Sequence, residues 1–134
     1  MGVLRAQLVV QSSDILSSVL NIGYNSSVEA DSGVLMKAKV LKTSAHAAAL
    51  TIYKENDKTT QAYVFVRNMN SEREKYIYIY NDTDSDAAVA KLGGGEFAFL
   101  PVHTDKTLKV YGTDVDQIVE YGVFGLDSSA VTLS

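Results

Sequence analysis

A chain of 134 residues with 12 Lys and Arg against 16 Asp and Glu, and so a net charge of −4, is long enough to close a hydrophobic core without covalent staples. Its acidic balance argues against docking on a nucleic-acid backbone, which takes clustered positive charge, and with no Cys it has neither disulfides nor thiolate metal sites. Apolar runs such as Leu8–Val10 are far too short to span a bilayer, and the opening MGVLRAQLVVQSS has neither the apolar stretch of a signal peptide nor the Ser or Thr at position 6 that myristoylation calls for.

The predicted elements are short strands, the first over Val3–Val10. The next stretch, SSDILSSVLNIGYN, supports two readings. Ile15, Leu16, Val19 and Leu20 sit near helical spacing, with Ser13 or Asp14 as a cap and Gly23 as a stop; a strand over 16–25 with serine pairs facing solvent fits as well. Strands then follow at Val34–Leu41, Ala48–Tyr53, Ala62–Arg67, Tyr76–Tyr80, Glu96–Val102, Thr107–Tyr111 and Ile118–Phe124. Polar turn stretches separate them: NSSVEADSG, KENDKTT, NMNSERE, NDTDSD, KLGGG, HTDK and GTDVD. In KLGGG the glycines read as a turn that needs positive φ ahead of EFAFLPV. Many short strands with polar turns predict an all-β fold, a single antiparallel β-sandwich over residues 1–134 and jelly-roll-like in its connections.

The stretch EKYIYIYND sets Tyr76, Tyr78 and Tyr80 alternately with Ile77 and Ile79, so a strand there has a tyrosine face and an isoleucine face. AYVFVRN alternates likewise, with Tyr63, Phe65 and Arg67 on one side and Val64 and Val66 on the other. Read as the two arms of a hairpin around NMNSER and matched by type, they join Val64 and Val66 to Ile77 and Ile79 as a core face, with Tyr63, Phe65, Tyr76, Tyr78 and Tyr80 as an outward patch; a one-residue slip of register reverses the match. An unpaired buried tyrosine hydroxyl is costly where isoleucine carries no such penalty, which selects the aliphatic face as the inner one. Aromatic-rich surface of this kind suits a protein–protein contact, a sugar or base platform, or plain sheet decoration.

No catalytic constellation accompanies these strands. His46 and His103 are far apart and lack a metalloprotease or triad context; there is no nucleophile-elbow motif, and GGG at 93–95 lacks the Lys and Ser or Thr of a phosphate loop. Asp82, Asp84 and Asp86 begin like a calcium loop, but Ala87 and Gly93 stand where that loop requires Gly and Glu. Asp114 and Asp116 read as turn residues. The expectation is a non-enzyme with no cofactor and no metal.

Three further stretches carry a resemblance. YVFVRNMNSEREKYIYIYND, KLGGGEFAFLPV and VEYGVFG together resemble the small β-sandwich structural proteins of tailed bacteriophages: a strand ending in RN, an aromatic strand, an L-x-x-G-E-F-x-F-L-P element and a closing EYGVFG strand, over roughly residues 62–125. The resemblance implies a virion localisation, with assembly in the bacterial cytoplasm. It implies a multicopy or homo-oligomeric decoration or cement protein on the major capsid protein lattice, with a tail, neck or adaptor subunit as the alternative and no nucleic-acid or membrane partner. A carbohydrate-binding module is the reading from another class, which the absence of Trp disfavours; a small hydrolase is the least supported.

Overall fold

The computed structural model describes residues 2–40, 49–81, 88–113 and 117–127. They form ten strands: β1 (Gly2–Ser12), β2 (Leu20–Ala30), β3 (Ser32–Val40), β4 (Leu50–Tyr53), β5 (Gln61–Asn68), β6 (Ile77–Asn81), β7 (Ala88–Leu92), β8 (Phe97–Val102), β9 (Leu108–Gly112) and β10 (Gln117–Leu126). The described residues contain no helix. The chain divides into two compact units, Met1–Ala30 and Asp31–Ser134.

The β-sandwich expected over residues 1–134 is built from the second unit alone, β1 and β2 forming a sheet of their own. Its two four-stranded sheets run β3-β10-β5-β8 and β4-β9-β6-β7, with every pairing antiparallel. Successive strands alternate between the sheets except at β6–β7, which is the order of an eight-stranded jelly roll. Between the sheets lies a buried cluster that includes Ile52, Val64, Val66, Ile77, Ile79, Val110, Val119 and Val123.

This order corrects the expected hairpin. β5 pairs with β10 and β8, so both of its edges are taken, while β6 pairs with β7 and β9 in the other sheet. Residues 69–76 therefore cross between sheets. Val64 and Val66 do join Ile77 and Ile79 in one cluster, but from opposite layers. The alternation of each strand, which fixes what it buries, was legible; alternation does not encode which strand lies beside it.

The crossing is pinned by Asn68, which is fully buried. Its Nδ2 donates to the carbonyls of Lys75 (2.7 Å) and Leu92 (2.9 Å), and its Oδ1 accepts from the backbone N–H of Asn70 (3.0 Å). The expected glycine turn follows β7: Gly95 has φ +86°, and Gly94 packs against the backbone of Glu72 and Asn70 with no room for a Cβ. β7 was not foreseen, since AVAKL carries two alanines and a lysine and few residues that favour strands.

The first unit is a hairpin. β1 and β2 pair over eleven residues without a register shift, from Gly2↔Ala30 to Ser12↔Leu20. The stretch that supported both helix and strand is divided. Residues 13–18 bend, with the Ser12 hydroxyl accepting the N–H groups of Asp14 (3.4 Å) and Ile15 (3.2 Å), and the strand begins only at Leu20. Cross-strand pairs put Leu4, Leu8, Val10, Ile22, Tyr24 and Val28 on one, mostly apolar face, and on the other Arg5, Gln7, Gln11, Asn21, Asn25 and Glu29 together with two valines, Val3 and Val9.

Candidate protein interface

The outward face of the β3-β10-β5-β8 sheet is aromatic, and the register gives its rows. Leu35, Gly122, Phe65 and Phe99 lie across the four strands in one row, and Gly33, Phe124, Tyr63 and Pro101 in the next. On the other side of the Phe65 row stand Lys37, Glu120, Arg67 and Phe97, so alternating charge borders the apolar ground. Phe97 is 64% exposed and Leu35 57%, whereas Tyr63 is only 8% exposed.

Packing within the face explains that range. The rings of Tyr63 and Phe99 stack with centroids 6.0 Å apart and planes 4° from parallel. Phe124 lies flat over two glycines: a Cβ on Gly33 would come within 2.5 Å of its Cδ1, and one on Gly122 within 2.8 Å of its Cε2. The inner rings are thereby fixed, and Phe97 and Leu35 stand open at the margins. Fixed aromatic ground beside a charged border is the composition of a protein-binding surface.

The five residues singled out from the sequence do not meet. Tyr63 and Phe65 belong to this face, while Tyr78 and Tyr80 are on β6 in the other sheet and Tyr76 immediately precedes it. There Tyr78 stacks on Tyr111 at 5.1 Å, Tyr80 meets Tyr111 edge-on at 5.5 Å, and Lys91 Nζ lies 4.0 Å above the Tyr76 ring. Tyr76 and Tyr78 are half-buried, but Tyr80, expected to face outward, is 0% exposed. This second row of tyrosines is thus closed largely by its own neighbours. Phe97, Phe99, Phe124 and Leu35 were not singled out. The alternation in EFAFLPV puts Phe97, Phe99 and Pro101 on one side, yet nothing local says that this side continues Tyr63 and Phe65.

Other candidate chemistry has little foothold. His103 follows the last residue of β8, is exposed, and pairs through Nδ1 with Asp105. His46, Asp82, Asp84, Asp86, Asp114 and Asp116 lie outside the described residues. Among the described residues no group of three or more His, Cys, Asp or Glu is placed to hold a metal ion, and no helix is long and apolar enough to cross a membrane.

No family model and no curated protein matches the chain. One solved structure, from Bacillus endospore appendages described as "a novel family of disulfide-linked pili", is similar over 90% of this chain and 91% of its own, at 15% sequence identity and a TM-score of 0.46. The disulfide linkage in that description has no counterpart within these 134 residues, which contain no Cys.

Proposed function

We propose that this chain is a structural subunit of a tailed-bacteriophage particle, a decoration or cement protein whose aromatic outer face seats on the major capsid protein lattice. The observation that carries the reading is the outer face of the β3-β10-β5-β8 sheet, with open Phe97 and Leu35 at its margins and a Lys37–Glu120–Arg67 border. Parts of the three stretches that resemble phage structural proteins, YVFVRN, EFAFLPV and EYGVFG, fall in the adjacent strands β5, β8 and β10, whose outward residues make most of that face, while the YIYIY part of the first stretch belongs to the other sheet. Tyr63, Phe65, Phe99 and Phe124 then serve as rigid ground and Phe97 as the anchor that enters the partner. Tyr76 and Tyr78 form a smaller, secondary contact on the opposite sheet.

Co-sedimentation with purified capsids and with purified tails tests the proposal. The expected result is saturable binding to capsids that Phe97→Asp weakens at least about tenfold, as loss of an interface anchor does. Because Phe97 is an exposed side chain, that variant should melt with the parent. Binding to tails alone would move the subunit to the tail or neck. Binding to neither would remove the virion reading.

A further inference from the structure

The sandwich guards its sheet edges, and the hairpin does not. Edge strands invite pairing unless they are short, bulged, charged or interrupted by proline. β8 carries Pro101, β3 carries Lys37, β4 is four residues long with a register shift, and β7 is five residues long with a shift in its pairing to β6. β1 and β2 each run eleven residues with no proline, no bulge and one charge apiece, Arg5 and Glu29. Their apolar face is open as well, with Leu8 48% and Tyr24 71% exposed.

We propose that the β1–β2 hairpin is a self-assembly element, its apolar face and both edges covered by the hairpins of other copies of this chain. The inference is independent of the docking face proposed above. Charge selects the pairing: β1 of one copy antiparallel to β2 of the next, shifted two residues from the intramolecular register, keeps both apolar faces on one side and sets Arg5 opposite Glu29. Area sets the copy number. A two-stranded ribbon of eleven residues is about 36 Å by 10 Å, so two stacked ribbons bury on the order of 700 Å², short of the roughly 1,200 Å² of a stable interface. Head-to-tail pairing of three or more hairpins adds backbone ladders, encloses the apolar faces and, on closing into a ring, leaves no free edge.

Sedimentation velocity of the full chain over a concentration series is the test. The expected result is a discrete species of three or more copies. Leu8→Asp or Val10→Asp should raise its dissociation constant at least about tenfold by placing a charge in the enclosed face, while Gln7→Lys on the opposite face leaves it intact. Among the described residues, the buried core cluster contains none from the hairpin, so the melting transition of the sandwich reports that each variant is folded. A monomer at every concentration, a dimer, or an oligomer that survives both apolar-face substitutions overturns the proposal. A chain that is monomeric alone yet sediments with capsids also overturns it, and leaves the proposed function standing.

Discussion

Asn68 and Tyr53 are buried polar groups whose hydrogen bonds hold turns that packing alone would not. Removing the Asn68 side chain takes one hydrogen bond each from the carbonyls of Lys75 and Leu92 and the N–H of Asn70 at once. Losing a buried partner costs about 1–3 kcal/mol, so with three bonds lost at this fully buried side chain Asn68→Ala is expected to lose about 2–5 kcal/mol in urea denaturation. A loss under about 1 kcal/mol would mean that the 69–76 crossing is held by other contacts. Tyr53 donates from its hydroxyl to the Thr104 carbonyl (2.9 Å) and accepts the N–H of Lys58 (3.4 Å). Burial pushes its pKa above the usual tyrosine value of 10.0, with Asp57, Asp127 and Asp105 adding to the rise and the backbone hydrogen bond to Lys58 opposing it. The folded state thus holds this proton more tightly than the unfolded chain. The corresponding stability is complete below about pH 10 and is lost as pH rises through the folded value. Tyr53→Phe should cost about 1 kcal/mol at neutral pH and flatten the alkaline fall in melting temperature relative to the parent; an unchanged alkaline limb would show that other tyrosines set it.

Strand β6 carries the contrast between aliphatic and aromatic faces. Ile79 is fully buried in the cluster between the sheets, so Ile79→Ala is expected to cost about 2–5 kcal/mol. Tyr78 is half-buried and stacked on Tyr111, so Tyr78→Ala should cost less, about 0.5–1.5 kcal/mol beyond the area it exposes. Thermal melts of both check the order, and a reversal would put the tyrosine face in the core. The separation of Ile from Tyr follows from alternation, a property of one strand, and the cost of burying a tyrosine hydroxyl selects the isoleucine face as the inner one, although Tyr80 is itself fully covered. Strand partnership is a property of two distant segments. The aromatic residues flanking NMNSER read as a hairpin because adjacent strands commonly pair, whereas the jelly roll sends them to opposite sheets. The proposed docking face suffers the same loss of information. Tyr63 and Phe65 were visible as an aromatic pair, but Phe99 and Phe124 reach them only through the β8-β5-β10 pairing, and Phe124 finds its seat only because Gly33 stands opposite it in β3 and Gly122 two residues before it in its own strand.

For the molecule as a whole, the two proposed surfaces predict a division of labour. A patch of a few rows of side chains with one open aromatic anchor gives a single subunit modest affinity. Several subunits held together by their hairpins would engage a repeating lattice at several points, and multivalency raises overall binding by about 10²–10⁴ without a new contact at any one point. The core cluster contains no residue of the hairpin, so a chain starting at Asp31 should fold and melt within a few degrees of the parent's sandwich transition. It should be monomeric and bind capsids at least about tenfold more weakly than the full chain. Its residual binding should still fall on Phe97→Asp, since the docking face is intact. Calorimetry and co-sedimentation of the truncated chain, with and without that substitution, measure all three. Truncation that unfolds the sandwich would make the hairpin part of its stability; truncation that abolishes binding entirely would place the docking surface on the hairpin and not on the aromatic face.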